Sequence, residues 1–441
     1  MYTINLLSPQ QKDLVLLTQL LRSHPNFTDF RTHIIFPIGD LEVSLSHTLV
    51  VLDRSDNVYQ CAVLDNEPLG SGTYGGVYNV IANFSLENEA IKPEKPLEQE
   101  MVCKVQVGSE ESRNEFEMSQ KAPHLGIYPQ YFFSHQYLDN CCYLFLKKQP
   151  GKDLFELLNS LEPKLWDPGL NDRFELSIKL LTALKEQIHD HGLVHRDIKP
   201  ENIIVALENN TFTVNIIDLA CVCLAGHKPK YVNGTPLYIA PECYDSRGEC
   251  LSPPPPADYK LDVFAAAVIL KELWAEYDLP WSSLFHDDHD KNLKHIYTTY
   301  LRGENLTFDE YKSLFKVILS MAESDPKKRM HLSEAITNLI HVRDLVFERH
   351  QREELEQLNV PQPGLARVQR RYNPEEHAPS AELPELAASS QAFNSNVTPV
   401  QAKHSWCSFF MQKTTPPLKM HPVESSASDV PQLQRNITHS C

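Results

Sequence analysis

The apolar residues nearest the start of this chain recur every three or four positions, a spacing typical of a helix. They are Leu14, Leu17, Leu20 and Leu21. This period predicts one amphipathic helix that ends at about Ser23. Ser8, Pro9 and Gln11 precede it in the order of a capping box, so Ser8 is predicted to cap the helix.

Strand-type runs follow this helix. Residues 48–52 and 58–63 flank a polar turn, which predicts two paired strands. Residues 83–99 are polar and contain proline, so we expect a loop insertion there. The run Met101–Val107 then predicts a strand that carries a single inward lysine, Lys104.

A glycine-rich run, Leu69–Tyr78, lies between these strands. G-x-G-x-x-G is a weak motif alone, because dinucleotide sites share it. In those sites a helix follows the glycines, whereas here residues 77–81 continue as a strand. The run therefore predicts a hairpin whose bare backbone lies over the phosphates of a nucleotide, with a purely structural turn as the alternative.

Lys104 needs a partner if it contacts phosphate. A lone lysine in a strand is usually a solvated edge residue. After a glycine hairpin it becomes a candidate phosphate ligand, provided that a carboxylate on the next helix holds it. Glu115 and Glu111 are both candidates for this carboxylate, in or just before the short helix that follows the strand.

The polar residues that could take part in a reaction follow a helix predicted from Asp172 to His189. HRDIKPEN, residues 195–202, precedes the apolar run 203–205, and a second β-like run ends at Asp218. Metal-assisted phosphoryl transfer needs a carboxylate to orient the attacking hydroxyl, and amide and carboxylate oxygens for magnesium. The order of strands, short helix, strands and helices predicts an α+β fold of two lobes with a cleft between them.

Composition and charge narrow the classes of function that this chain could have. The chain has 441 residues, 42% of them apolar, and a formal net charge of −17. The charge lies almost entirely before residue 359, since seven basic and six acidic residues follow. This acidity disfavours nucleic-acid binding and favours basic protein substrates.

Cysteine usage and the lack of targeting segments predict a soluble, cytoplasmic protein. The ten cysteines have no zinc-type spacing, which favours reduced thiols. Cys221 and Cys223 are read as buried thiols, with a redox pair as the alternative. The N-terminus lacks the pattern of a signal peptide, and the longest apolar run, 263–270, is too short for a transmembrane segment.

Three regions follow from these patterns. Residues 1–60 are predicted to form an N-terminal helix and strand extension, 61–345 the main domain, and 346–441 a helical extension with a mostly disordered tail. The tail has ten prolines and contains an apolar island at residues 405–411. This island is predicted to dock a partner or a membrane surface, or to fold back on the domain.

Taken together, the motifs resemble those of eukaryotic-type protein kinases, over roughly residues 69–345. The matching positions, in chain order, are GSGTYGGV at 70–77, Lys104, HRDIKPEN at 195–202, Asp218-Leu219-Ala220, Ala240-Pro241-Glu242, Asp262 and Arg329. Lys199 and Gly234-Thr235 resemble serine/threonine kinases. The region after Lys104 is similar to vaccinia-related and casein-type kinases and to bacterial effector kinases, which implies secretion into a host cell as an alternative location.

The resemblance implies an enzyme that uses ATP and Mg²⁺. Asp197, Lys199, Lys104 and Glu115 are the implied catalytic residues, and Asn202 and Asp218 the implied metal ligands. Leu146 is expected to be the gatekeeper, residues 147–149 the hinge and Asp153 the ribose contact. The implied ATP-binding residues are Gly70, Ser71, Gly72, Thr73, Tyr74, Gly75, Val77, Val102, Lys104, Leu146, Gln149, Asp153 and Ile204. Glu242 is expected to pair with Arg329, and Asp262 to brace the catalytic loop.

Two positions depart from the family pattern. Ala220 replaces a glycine, which is expected to restrict switching of its loop, and Val102 replaces an alanine and narrows the adenine pocket. Residues 219–241 contain only Tyr231, Thr235 and Tyr238 as hydroxyl residues and no acid. We therefore expect an enzyme that does not depend on Ser/Thr phosphorylation of this segment.

Two other functions remain as alternatives. A pseudokinase scaffold would bind nucleotide without efficient transfer, and Ala220 keeps this alternative open. A kinase-fold enzyme acting on small molecules or lipids usually lacks Ala-Pro-Glu and the lysine after the catalytic aspartate, and this chain has both.

Overall fold

The computed structural model describes residues 1–55, 58–72, 75–93, 100–125, 132–133, 141–159, 169–209, 211–275, 293–294, 297 and 306–359. The strands are β1 (Tyr2–Ile4), β2 (Asp29–Phe30), β3 (Phe36–Ile38), β4 (Leu41–Leu45), β5 (Thr48–Ser55), β6 (Val58–Gly72), β7 (Gly75–Glu87), β8 (Ala90–Pro93), β9 (Met101–Val107), β10 (Phe132–Phe133), β11 (Cys141–Lys147), β12 (Lys152–Asp153), β13 (Leu193–Val194), β14 (Ile203–Glu208), β15 (Thr211–Ile216) and β16 (Cys223–Leu224). The α-helices are α1 (Gln11–Ser23), α2 (Glu110–Ser119), α3 (Leu154–Asn159), α4 (Leu170–Ala183), α5 (Tyr259–Trp274), α6 (Phe308–Met321) and α7 (Leu332–Asn359).

The N-terminal half of the described chain is built on one large sheet. Its strands follow the order β10-β11-β9-β7-β6-β5-β2, and β8 pairs with β7. β6 and β7 are antiparallel, with Gly72 opposite Gly75. The glycine run therefore joins two strands of a hairpin, and α2 follows β9 directly, which brings the lysine strand and its helix together.

The N-terminal extension belongs structurally to this sheet. β5 and β2 extend the sheet beyond β6, and α1 packs with β1, β3 and β4 over the same edge. The shared core includes Leu17 and Leu20 of α1 together with Cys61 and Phe84 of β6 and β7. The domain boundary that we placed at residue 60 falls inside β6, so burial continues across it.

The cap of α1 differs from the prediction. The helix begins at Gln11, and Gln10 rather than Ser8 is the capping residue. The backbone N–H of Gln10 donates to Asp13 Oδ2 over 2.8 Å, while Tyr2 OH donates to Asp13 Oδ1 over 3.1 Å. Ser8 was the wrong choice because the buried Asp13 carboxylate, which β1 helps to hold, satisfies the first turn instead.

The predicted loop at 83–99 is also wrong in its first half. β7 continues to Glu87, Asn88 and Glu89 form a turn with positive φ, and β8 pairs back onto β7. Phe84 and Leu86 are buried against the core that α1 covers. Residues 83–87 alternate between polar and apolar side chains, as a strand does, but the polar residues around them suggested a loop. Residues 94–99 lie outside the described residues.

The C-terminal half is mostly helical. α4 continues through a π-helical turn, Leu184–Ile188, and packs with α5 and α7 around a core that contains Phe174 and Trp274. α7 is one continuous helix of 28 residues. The predicted α+β fold, with a β-rich N-terminal lobe and a helical C-terminal lobe, is confirmed.

Two further predictions concern a membrane span and the C-terminal tail. Among the described residues, no helix combines the length and the apolar character needed to cross a bilayer. The tail from residue 360, with its apolar island at 405–411, lies outside the described residues.

Candidate active site

A buried aspartate of α5 holds the loop that follows β13. The carboxylate of Asp262 accepts from the backbone N–H of His195 over 2.7 Å and from that of Arg196 over 2.8 Å. His189 Nε2 lies 3.1 Å from the same carboxylate. Burial opposes the charged form, but these hydrogen bonds outweigh burial and lower the pKa of Asp262. Asp262 therefore braces the backbone that presents Asp197.

The side chain of Asp197 sits in a ring of polar contacts. Its Oδ2 lies 3.0 Å from Lys199 Nζ, and its Oδ1 accepts from Thr235 Oγ1 over 2.8 Å. Lys199 Nζ donates to Thr235 Oγ1 over 3.1 Å, which closes the ring. Burial lowers the pKa of Lys199, but the charge and hydrogen bond of Asp197, together with the charges of Glu201 and Asp218, outweigh burial and raise this pKa overall. Lys199 thus carries its charge next to the carboxylate.

Gly234 allows this approach of the segment 219–241 to the catalytic loop. Its φ is +120°, and a Cβ built on it would lie 2.4 Å from the carbonyl oxygen of Arg196. Any other residue would be strained and would clash with the backbone. The glycine before Thr235 is therefore required for the contact of Thr235 with Asp197.

Lys104 is placed between two carboxylates. Its Nζ lies 2.7 Å from Glu115 Oε1 and 2.7 Å from Asp218 Oδ1. The lysine side chain is 10% exposed and that of Glu115 is 2% exposed. Burial disfavours the ammonium, but the two carboxylates outweigh it and raise the pKa of Lys104. Burial raises the pKa of Glu115. Burial opposes ionisation of Asp218 as well, but Lys104, with His195 and the N–H of Ala220, outweighs it and lowers the pKa of Asp218.

Asn202 and Asp218 have the donor set that magnesium prefers. Asn202 Nδ2 donates to the carbonyl oxygen of Asp197 over 2.9 Å and lies 3.3 Å from Asp197 Oδ2, which orients the amide. Asp218 receives Lys104 and the N–H of Ala220 on Oδ1. Hydrogen bonds among the described residues leave the amide oxygen of Asn202 and Oδ2 of Asp218 without a donor. These hard oxygens fit Mg²⁺.

The apolar positions predicted to contact adenine share one face of the sheet. Val77 is opposite Lys104 in the β7–β9 ladder, and Leu146 is opposite Val102 in the β11–β9 ladder. Since Val102 and Lys104 are two residues apart, all four side chains project to the same side. Ile204 lies on β14 of the other lobe.

The glycine turn is close-packed on β9. A Cβ on Gly75, whose φ is +148°, would lie 2.0 Å from the carbonyl oxygen of Val105. In the ladder Gly70 is opposite Val77 and Ser71 is opposite Gly76. Thr73 and Tyr74 lie outside the described residues. Gly75 and Gly76 place bare backbone beside the strand that carries Lys104.

Two predicted nucleotide contacts have protein partners. Gln149 Nε2 donates to the carbonyl oxygen of His124 over 3.1 Å. Asp153 Oδ1 accepts from the backbone N–H of Glu156 over 2.7 Å and so caps α3. The side-chain amide of Gln149 therefore faces the protein, which leaves its backbone for any hinge role, while Asp153 keeps one oxygen for a ribose.

The expected structural ion pair is present. Arg329 donates to both oxygens of Glu242, each over 2.8 Å, and its side chain is fully buried.

Ala220 does not have positive φ, whereas Asp218 has a φ of +62°. Alanine is thus accommodated without backbone strain in this arrangement. Restricted switching of the loop stays a prediction.

Sequence reasoning missed two polar residues around Glu115. Gln106 Nε2 donates to Glu115 Oε2 over 2.9 Å, and Asn114 Nδ2 donates to the carbonyl oxygen of Val222 over 3.1 Å. The period of two along β9 puts Gln106 on the same face as Lys104, so the strand pattern held the signal. The side chain of Glu111, the other candidate partner, lies outside the described residues.

Cys221 and Cys223 are buried free thiols. Burial raises the pKa of Cys221 to about 12 and also raises that of Cys223. A thiol with a raised pKa is a poor nucleophile at neutral pH, so the environment suits inert side chains better than a redox pair.

Comparison with known proteins agrees with this geometry. The family model described as "protein kinase domain" matches residues 64–339. Calcium-dependent protein kinase 5 of Plasmodium berghei is 28% identical over 250 residues, which cover 55% of this chain and 40% of the relative. CBL-interacting protein kinase 28 of Oryza sativa is 28% identical over 269 residues, 60% of this chain and 55% of the relative.

A third relative is named as a serine/threonine kinase. Serine/threonine-protein kinase dkf-1 of Caenorhabditis elegans is 31% identical over 219 residues, which cover 48% of this chain and 27% of the relative. The chain therefore spans about half the length of these relatives or less. The family match covers more than half of the chain and includes every motif from the glycine turn to Arg329. This chain belongs to the protein kinase family.

Proposed function

We propose that the chain is an ATP- and Mg²⁺-dependent kinase that transfers the γ-phosphate to Ser/Thr hydroxyls of protein substrates. The contact between Asp197 and Thr235 carries this proposal, because it joins the carboxylate to the segment that faces a substrate. Lys199 lies 3.0 Å from the same carboxylate. A hydroxyl brought to this ring would meet both a proton acceptor and a cation.

Each residue then has a role in positioning or charge stabilisation. Asp197 accepts the hydrogen bond of the attacking hydroxyl and orients it. Lys199 stabilises negative charge on the transferring phosphoryl group, and Lys104 binds the nucleotide phosphates while Glu115 holds it in place. Asn202 and Asp218 would hold Mg²⁺, which screens phosphate charge when bound. The apolar face formed by Val77, Val102 and Leu146 would receive the adenine.

The pseudokinase alternative requires a missing functional group. Lys104 contacts Asp218, and Asn202 contacts Asp197, so all four functional groups are present and held by protein contacts. This favours transfer over binding alone. The net charge favours basic protein substrates. Three further expectations stay predictions: that the chain has no nucleic-acid partner, that it is cytoplasmic or delivered into a host cell, and that it belongs to the subfamily named above.

Phosphate transfer from labelled ATP to generic protein substrates tests the proposal, with wild type beside Asp197→Asn. Loss of a general base typically lowers the rate by about 10²- to 10⁴-fold. Asp190→Asn is the matched control, because Asp190 is exposed and pairs only with Lys185 among the described residues. Equal incorporation by wild type and Asp197→Asn would exclude the role of Asp197. No incorporation by either, with ATP binding intact, would favour the scaffold.

A further inference from the structure

Glu115 is held by two side chains of the same strand. Lys104 contacts Oε1 over 2.7 Å, and Gln106 donates to Oε2 over 2.9 Å. Gln106 is 4% exposed and Glu115 is 1% exposed. The carboxylate thus bridges positions two residues apart on β9, and each of its oxygens has a different donor.

The position of Gln106 connects this bridge to the glycine turn. Gln106 is opposite Gly75 in the β7–β9 ladder, one pair beyond Val105 and Gly76. Its backbone therefore pairs with the glycine run, while its amide contacts Glu115 of α2. A residue there can fix α2 relative to the strand that carries Lys104.

A second contact fixes the same helix from the other side. Asn114, next to Glu115, donates to the carbonyl oxygen of Val222 in the segment that follows Asp218. Helix α2 is therefore held by β9 on one side and by this segment on the other. Both contacts are uncharged donors that need no modification to form.

We propose that Gln106 is a positioning residue for phosphate transfer: it fixes the second oxygen of Glu115 and so keeps Lys104 in the ion pair that the reaction uses. This inference rests on the proposed function. It also explains how a chain without Ser or Thr in residues 219–230 keeps α2 in place. The amide of Gln106 supplies a constraint that phosphorylation of this segment would otherwise have to supply.

Two substitutions of Gln106 in the full chain separate positioning from folding. Gln106→Leu removes the donor, and Gln106→Glu replaces it by a carboxyl of the same shape. A hydrogen bond to a charged group corresponds to about a 10- to 100-fold loss of kcat/KM for ATP when the donor is removed. Gln120→Glu is the control, because Gln120 is exposed at the end of α2.

The pH profile of Gln106→Glu gives a readout that a structural role would not produce. The introduced carboxyl would face Glu115, with Lys104 and Asp218 as the other charged groups there. Two carboxylates in contact share a proton, and the protonated form can donate to Glu115 Oε2. The rate of Gln106→Glu relative to wild type is therefore expected to rise from about pH 8.5 to about pH 6. The relative rate of Gln106→Leu is expected to stay constant.

The outcomes are distinct. Unchanged kcat/KM in both variants would overturn the proposal. Equal losses at every pH, together with a lower unfolding temperature, would assign Gln106 a purely structural role and overturn it too. If the wild type transfers no phosphate, the proposed function fails. ATP affinity, measured by calorimetry, then replaces the rate as the readout of the same pH series. ATP affinity equal to wild type in both variants would then overturn the role of Gln106.

Discussion

Arg196 donates a hydrogen bond to the thiol sulfur of Cys223, with 3.4 Å between Nη1 and Sγ. In this kinase family the equivalent arginine commonly meets a phosphorylated Ser or Thr. Here Thr235 contacts Asp197, and Tyr238 OH contacts Glu272. Arg196 therefore has a protein partner that is present in the unmodified chain.

Treatment of the full chain with phosphatase is expected to leave its rate of phosphate transfer largely intact. The contacts that order residues 219–241 are made by unmodified side chains, so removal of phosphate breaks none of them. Initial rates before and after treatment, with mass spectrometry of peptides from this segment, check the prediction. A loss of activity traced to a phosphate on Tyr231 or another residue of 219–241 would contradict it.

Glu272→Gln is expected to make the protein more stable than wild type above pH 7. Burial raises the pKa of Glu272 to about 7. A carboxyl with a raised pKa in the folded state stabilises fully below its ordinary pKa of about 4.5, and this stability is lost as the pH rises to about 7. The loss amounts to about 3 kcal/mol for this shift.

Denaturant unfolding of wild type and Glu272→Gln at several pH values between these limits measures the difference. Glu354→Gln, on an exposed turn of α7, controls for the substitution itself. A constant difference in the free energy of unfolding across this pH range would mean that folding does not raise the pKa of Glu272.

Asp262→Asn is expected to lower the free energy of unfolding by about 3 kcal/mol at pH 7, because two backbone N–H groups lose a charged acceptor. The pKa of Asp262 is lowered in the folded protein. Its stabilisation is therefore complete above the ordinary pKa of an aspartate and is lost as the pH falls below about 4. Phosphate transfer should fall as well, since His195 and Arg196 lead into Asp197.

Asp258→Asn is the matched control for this change. Asp258 caps the same helix by accepting from the backbone N–H of Lys260 over 2.8 Å, and it is exposed. Asparagine is an equally good cap, so little stability should be lost. Similar unfolding midpoints for Asp262→Asn and Asp258→Asn would show that the buried brace contributes nothing special.

Tyr143→Phe is expected to destabilise the N-terminal lobe by about 1.5–3 kcal/mol, since it leaves a buried carboxylate with one donor fewer. Tyr143 OH donates to Asp29 Oδ2 over 2.6 Å, and both residues are buried. Burial and Asp29 raise the pKa of Tyr143, which keeps the donor protonated. Urea unfolding measures the change.

The matched control is Tyr244→Phe, whose hydroxyl donates to the carbonyl oxygen of Pro236 over 3.3 Å near the surface. Its loss should cost far less. Equal stability of wild type and Tyr143→Phe would contradict the idea that β2 of the extension is tied to β11.

The motifs carried most of the site because their chemistry is local in sequence. Asp197, Lys199 and Asn202 lie within six residues of each other, so one loop, which Asp262 braces, carries all three. The glycine hairpin was predictable because strand-type residues continue on both sides of it. The predictions for the cap of α1 and for residues 83–87 are wrong, since Tyr2 of β1 helps to hold Asp13 and the core beneath α1 buries Phe84.

Motif spacing and periodicity are properties of neighbouring residues, so they were enough to identify the kinase family and most of the strands and helices, and to predict the residues that bind nucleotide and metal. The partners of those residues depend on how distant parts of the chain pack together. Lys104 and Asp218 are 114 positions apart and lie 2.7 Å from each other. Gln106 and Cys223 acquired roles for the same reason: burial forces each polar group to find a donor or acceptor, and that choice depends on packing.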